Sequence, residues 1–390
     1  MVAGEGGASR GPAGGRRGRL TYTVTTVVGA RPQFIKAAVV SRALARIPGI
    51  RERWIHTGQH YDPELSQLFF DELAIPPPEV NLGVGSGPHA TQTARMLEGI
   101  EKVFELNRPD MVLVYGDTNS TLAAALVASK AAIPVAHIEA GLRSFDRSMP
   151  EEVNRLVADR LSTLWFPPTE AARANLMREG LGGVGDIEVV GDVMYDALLA
   201  TGADRPDPAR IARQGVVSGR YALFTAHRAG NTDRADRLAA VVGGARALGA
   251  MMPVLWPLHP RTRAAMAEAG LAIGDGDGVR IVPPLGYFDT QSLVAGAAVV
   301  VTDSGGLQKE AYWHRVPCVT LRDETEWVEL LGGPWNRLVR PLTAEGVRAA
   351  ALAAIAERPS EWPPFYGDGQ AARRIAARIE RWFAEGQAGT

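Results

Sequence analysis

Short apolar, β-branched runs alternate with longer helical stretches along nearly the whole chain, and this alternation limits the possible folds more than any other feature. An uninterrupted apolar run reads as a strand buried on both faces, and a helix between successive strands makes those strands parallel. In the first half the runs are Val24–Val28, Trp54–His56, Met111–Tyr115, Val135–Ile138, Leu164–Phe166 and Ile187–Val190. Helical stretches such as Phe34–Arg46, Thr91–Leu106 and Ser120–Lys130 lie between them. The second half repeats the scheme with strands at Tyr221–Thr225, Val254–Trp256, Arg280–Val282, Ala298–Thr302 and Cys318–Leu321. Its helices fall at Asp233–Leu248, Thr262–Ala269 and Gly306–His314. The fold class is therefore α/β, with doubly wound parallel sheets.

A chain of 390 residues exceeds one comfortable core, so two such sheets imply two domains. The expected division is an N-terminal domain over 20–190 and a C-terminal domain over 191–368, with a stretch poor in apolar residues, Thr201–Gly219, following the boundary. Residues 1–19, rich in Gly, Ala and Arg, have little apolar surface to offset ordering and are expected to form a flexible tail. Within 369–390, Ile375, Ile379, Trp382 and Phe383 make one apolar face, a helix expected to pack back on the N-terminal domain.

Several classes of protein are disfavoured at once. A formal net charge of −1 gives no basic surface for nucleic acid or an anionic membrane. No run approaches the roughly 20 apolar residues of a membrane span, and the N-terminal segment lacks the apolar stretch of a signal peptide. The single cysteine, Cys318, forms no internal disulfide and reads as a buried, inert thiol, so a cytoplasmic location fits best.

In open α/β sheets, ligands collect beyond the carboxyl ends of the strands, and the polar motifs cluster there. After the first strand comes Gly29-Ala30-Arg31-Pro32-Gln33-Phe34-Ile35-Lys36. Its cations Arg31 and Lys36 lie near a helix N-terminus, where they oppose the dipole; they either meet an anion such as a diphosphate or are simply solvated. Asp117, in Tyr115-Gly116-Asp117-Thr118, is either a helix cap or a functional carboxylate. Glu139 ends an apolar strand in His137-Ile138-Glu139-Ala140-Gly141-Leu142-Arg143, where a charge needs a partner or a task. Beyond the loop Ser144–Met149, Pro150-Glu151-Glu152 opens a helix; its acids either complement the dipole or join a coupled acid/base cluster.

The second half adds His227, which ends a strand before the capping signal Asn231-Thr232-Asp233 and can contact phosphate or shuttle a proton. His259 repeats that pattern one strand later. Most distinctive is Val299–Thr302 followed by Asp303-Ser304-Gly305-Gly306-Leu307-Gln308-Lys309-Glu310. A strand, a Ser-Gly-Gly turn and a helix present backbone N–H groups to an anion, and Glu310 can accept ribose hydroxyls. Neither a Walker loop nor a Gly-x-Gly-x-x-Gly turn is present, which argues against an ATPase and a nicotinamide dehydrogenase. Two metal-like spacings are set aside: Asp275-Gly276-Asp277 reads as a surface turn, and His56/His60 are separated by a helix-breaking Thr-Gly.

Taken in order, these motifs resemble the non-hydrolysing UDP-N-acetylglucosamine 2-epimerases over about Val24 to Leu338. The resemblance implies a GT-B architecture, two Rossmann-like domains facing a central cleft, and a homodimer with no metal or nicotinamide cofactor. It assigns Asp117, Glu139, Glu151 and His227 to catalysis. It assigns Arg31, Lys36, His259, Ser304, Gly305, Gly306 and Glu310 to the UDP-sugar. It further implies elimination of UDP to 2-acetamidoglucal, then re-addition with the proton returned to the other face of C2. Ala30 and Gly230 depart from the family's usual threonine and glutamate, and Gln59-His60-Tyr61-Asp62 lacks the second glutamine of the activator motif. Phe145-Asp146-Arg147-Ser148-Met149 is the loop form of a branch with members acting on modified UDP-sugars. Competing readings are a hydrolysing 2-epimerase, a 2-epimerase of a modified UDP-sugar, a GT-B glycosyltransferase and a non-catalytic nucleotide-sugar sensor.

Overall fold

A computed structural model describes residues 21–59, 78–274 and 276–388. The tail 1–19, His60–Asp62 and Asp275 lie outside these residues. The first sheet begins with β1 (Tyr22–Val28), α1 (Arg31–Leu44), β2 (Ile50–His56), β3 (Val80–Asn81), α2 (His89–Leu106) and β4 (Met111–Tyr115). It continues with α3 (Asn119–Lys130), β5 (Val135–Ile138), α4 (Pro150–Leu161), β6 (Leu164–Phe166), α5 (Glu170–Arg178) and β7 (Asp186–Ile187). After α6 (Val193–Ala200) and α7 (Pro208–Arg213), the second sheet opens with β8 (Ala222–Thr225), a short α8 (Ala229–Thr232), α9 (Ala235–Gly249) and β9 (Val254–Pro257). Then follow α10 (Pro260–Glu268), β10 (Val279–Val282), α11 (Tyr287–Gly296), β11 (Val299–Thr302), α12 (Gly305–Trp313), β12 (Cys318–Thr320), β13 (Asn336–Leu338), α13 (Ala344–Ala356) and α14 (Ala371–Ala388).

Both sheets are parallel and share one winding. Their strand orders are β3-β2-β1-β4-β5-β6-β7 and β10-β9-β8-β11-β12-β13. Each reverses direction of growth between its first strand and the strand that crosses over it, between β1 and β4 and between β8 and β11, and this is where a doubly wound sheet opens a crevice. The central strands are buried along their whole length: Met111–Tyr115 and Val299–Thr302 each leave no residue accessible. Their register is continuous, Val24↔Met111 through Thr26↔Leu113 in one sheet and Val299↔Ala222 through Thr302↔Thr225 in the other.

Three local details differ from the sequence reading. The last strand of the first sheet stops at Ile187, although Glu188 and Val190 still donate to carbonyls of Trp165 and Pro167. The helix after β4 is capped by Thr118, whose hydroxyl accepts from Thr121 N, and not by Asp117. Asn231 does not cap α9; it lies in α8 and donates to Asp303 (3.0 Å) and to the Leu321 carbonyl (2.9 Å).

The chain crosses between the sheets twice at nearly one point. Asp192 N donates to the Tyr366 carbonyl at 2.9 Å, so the outgoing and returning segments are joined. The returning segment ends in α14, whose Ala371, Ala372, Ile375, Ala376, Ile379 and Phe383 are buried in the same core as Val24, Val28, Val39 and Leu44. Phe383 stacks on Tyr22 with ring centroids 4.1 Å apart.

Candidate active site

The exits of β1 and β4 are stitched together by one buried amide. Gln33 accepts from Gly29 N (2.8 Å) and Ala30 N (3.1 Å), and donates to the Tyr115 carbonyl (2.7 Å) and Thr118 Oγ1 (2.9 Å). This fixes the start of α1 against the Gly116–Asp117 turn. Arg31 opens α1, and its side chain lies outside the described residues. Lys36, on the same helix, forms an ion pair with Glu139.

Glu139 sits just past β5 with φ at +69°, in the left-handed region that a residue with a side chain seldom occupies. Its carboxylate is buried between two ammonium groups: Lys36 holds Oε2, and Lys309 from α12 stands 3.2 Å from Oε1. Burial opposes the charge, yet the two lysines prevail and hold the carboxyl down at about 2. Beneath it, His137 places Nδ1 2.7 Å from Asp159 and Nε2 2.8 Å from the Gly116 carbonyl. Asp159 also meets Arg143 at 2.7 Å and accepts from Gly141 N. The strand end is therefore rigidly seated by buried polar bonds.

Asp117 is paired with Arg155 of α4, which also holds Glu152 at 2.9 Å. Glu152 in turn accepts from Ser144 N, Ser144 Oγ and Phe145 N, at 2.9, 3.0 and 3.1 Å. The two acids that open α4 thus have different settings. Glu152 is buried and shapes the preceding loop, whereas Glu151 is exposed.

Across the cleft, His227 is anchored through its backbone: Asp303, fully buried at the end of β11, accepts from His227 N, Arg228 N and Asn231 Nδ2. The His227 ring stays 41% exposed, 3.4 Å from Asp303 through Nδ1 and 5.4 Å from the His259 ring. His259 caps α10 by accepting from Arg261 N, and burial, aided by His227 and Arg261, lowers its proton affinity.

The Ser304-Gly305-Gly306 turn opens α12, with Ser304 capping it. A Cβ on Gly305 would stand 2.4 Å from Glu326 Oε1, so glycine is needed there for close approach. A Cβ on Gly306 would meet nothing nearer than Ser304 Oγ at 3.9 Å, and the residue is exposed. Glu326 is held by Arg322 at 2.9 Å and Arg228 at 4.0 Å. Burial opposes its ionisation, but Arg322, Arg228 and Arg155 outweigh it. Glu310 lies one turn along α12, and burial raises its carboxyl against the pull of Gln291 and Lys309.

The structure thus brings Lys36 and Glu139 into contact, sets Asp117 on Arg155, leaves Glu151 exposed, and gathers His227, His259 and the Ser304 turn on the facing sheet. Sequence reasoning missed Gln33, Arg155, Asp192, Asp303, Lys309 and Glu326. Of these, Asp303 had a readable signal, an acid directly following the buried strand Val299–Thr302. The others are recognisable only through partners distant in the chain.

Two parallel sheets of identical winding, meeting over a cleft lined by strand ends, define a GT-B protein. A family model for UDP-N-acetylglucosamine 2-epimerase matches residues 42–380, and the chain belongs to that family of isomerases. A UDP-N-acetylglucosamine 2-epimerase homolog of Methanococcus maripaludis is 47% identical over 320 residues, 81% of this chain and 88% of its own length. A UDP-2,3-diacetamido-2,3-dideoxy-D-glucuronate 2-epimerase of Pseudomonas aeruginosa is 44% identical over 363 residues, covering 92% and 99%. Among solved structures, Methanocaldococcus jannaschii UDP-GlcNAc 2-epimerase in complex with UDP-GlcNAc and UDP is 40% identical. It superposes with a TM-score of 0.84 over 92% of this chain and 99% of that one. No described helix is long and apolar enough to cross a membrane.

Proposed function

We propose that this chain interconverts UDP-N-acetylglucosamine and UDP-N-acetylmannosamine without hydrolysis, by eliminating UDP and adding it back. The observation that carries the reading is the Glu139 carboxylate at a strand end, buried between Lys36 and Lys309 and facing a sheet whose Ser304-Gly305-Gly306 turn opens a helix.

C2–H is not acidified by a carbonyl on a neighbouring ring carbon, so its removal must be coupled to departure of the anomeric oxygen. In this reading Glu139 takes the C2 proton as the C1–O bond breaks, giving 2-acetamidoglucal and the UDP anion. Lys36, Arg31, His227 and the N-terminus of α12 stabilise the departing diphosphate. Asp117 or Glu151, in its protonated form, then gives its proton to the opposite face of C2 while UDP re-attacks C1, and proton exchange with water resets both carboxyls. Glu310 accepts from the ribose, His259 lines the diphosphate side, and closure of the cleft retains the glycal. The working form is a homodimer in the cytoplasm; light scattering of the purified protein tests the assembly.

Incubation with UDP-N-acetylglucosamine in deuterated water should place deuterium at C2 and yield UDP-N-acetylmannosamine. Neither exchange nor product would overturn the reading, and accumulation of UDP with free N-acetylmannosamine would identify hydrolysis instead. The Pseudomonas aeruginosa relative supports a second reading, inversion of a diacetamido-uronate UDP-sugar. Comparing kcat/KM for the two substrates decides between them.

A further inference from the structure

Lys309 is the least expected charge in the molecule. It extends from α12 of the second sheet's domain, and its side chain is only 3% exposed. Its ammonium inserts between two carboxylates that belong to the other side of the cleft. One is Glu139, 3.2 Å away at the end of β5; the other is Asp192, which caps α6 by accepting from Met194 N. The α6 residues Val193, Met194 and Ala197 are packed in the first sheet's core, so both acids are fixed to that side. The Trp327 ring lies beneath the ammonium, its centroid 3.9 Å from Nζ.

Among the described residues, the titratable groups that face this cluster come from several elements, Asp196 of α6 and the Tyr366 phenol beside Asp192 included. Glu139 meets Lys36 from α1 and Lys309 from α12; Lys309 meets Asp192, with Glu310 on its own helix and Glu329 near enough to feel its charge. A buried ammonium is costly unless paired. Here two carboxylates and an aromatic face offset the loss of water, and the lysine remains charged.

Building on the epimerase reading, we infer that Lys309 is a positioning residue: reaching across from the opposite domain and tied to Asp192, it fixes the Glu139 carboxylate in place. The same nine-residue helix carries the Ser304 turn at its start and Lys309 in its second turn. Nucleotide capture and the setting of the base are thereby joined in one rigid element. Lys36 holds one carboxylate oxygen of Glu139, and Lys309, tied to Asp192, holds the other from the facing domain.

The test is carboxyl NMR of protein carrying ¹³C-labelled glutamate, with Glu139→Gln to assign the signal, alongside C2 exchange measured across pH. In the unaltered protein Glu139 stays ionised to the lowest pH at which the fold survives. In Lys309→Met its titration moves up by about one unit or more. The acid limb of kcat moves with it, and kcat falls about 100-fold, while UDP affinity measured by calorimetry changes less than about threefold, because Lys309 touches no nucleotide in this reading. Lys309→Arg restores most of both. Lys309→Gln, whose amide can still donate to Asp192, moves the titration up in the same sense and keeps the proposal testable if Lys309→Met does not fold. An unmoved Glu139 titration in these two neutral variants overturns the positioning role. Failure of the unaltered protein to exchange at C2 overturns the epimerase reading alone, since the NMR readout needs no turnover.

Discussion

Arg155 joins two carboxylates with two functions: one guanidinium nitrogen pairs with Asp117, and another lies 2.9 Å from Glu152. Asp117 follows β4 in the cleft, whereas Glu152 holds the Ser144–Phe145 turn by three hydrogen bonds. One planar fork therefore sets a candidate acid and, through Glu152, the loop that precedes α4. Replacing it with Arg155→Met leaves two buried or half-buried acids unpaired, which costs about 3–5 kcal/mol. Urea denaturation measures this, and a loss below about 1 kcal/mol would contradict the assignment. Arg155→Lys recovers only part, because an ammonium cannot serve both acids in fork geometry.

The two glycines of the α12 turn should respond differently. Gly305→Ala forces a methyl to within 2.4 Å of Glu326 and should destabilise the fold by about 1–3 kcal/mol. Gly306→Ala has room and gains helix propensity, so stability should hold or rise slightly. It should still weaken UDP binding, by about tenfold, by screening the N–H edge. Calorimetry with UDP decides; unchanged affinity in Gly306→Ala removes the diphosphate from that turn.

Asp196 predicts a pH effect remote from the cleft. It accepts from Ala371 N and Ala372 N and so caps α14, while burial, with Asp192 and Asp368, raises its carboxyl to about 6. The folded state binds a proton more tightly than the unfolded chain does. Its contribution is therefore full below the ordinary aspartate range and is lost as pH rises through about 6. Asp196→Asn, neutral at every pH, should gain in melting temperature relative to the unaltered protein between about pH 4 and 6 and hold a constant margin above. A margin that does not change across that interval would refute the linkage.

Much of this architecture was legible from period and spacing. Burial on both faces needs no distant partner to be read: in Met111–Tyr115 and Val299–Thr302 the apolar run itself reports a central parallel strand. The Ser304 turn was legible for a similar reason, since small residues between strand and helix act locally. What escaped was set by distance in the chain. Thr118 and Asp117 are both good caps, and only Arg155, 38 positions on, draws Asp117 away. Lys309 looks like an ordinary helix lysine until Glu139, 170 positions earlier, and Asp192, 117 earlier, are folded against it.

Ile379 offers a test of which core α14 completes. It is fully buried among β1 and α1 residues, and Ile379→Ala should cost about 2–5 kcal/mol. Hydrogen exchange should quicken in β1 and α1 before β8 and β11. The reverse order would mean that the helix serves the second sheet.

That last helix has a consequence for how the protein is made. Phe383 lies on Tyr22, so the first strand waits for a helix that follows the whole of the second sheet in the chain. The second sheet, complete within a continuous stretch of chain, can consolidate during translation. The first cannot finish its core until α14 has followed the second sheet off the ribosome, and the buried face of α1 needs shielding in the interval.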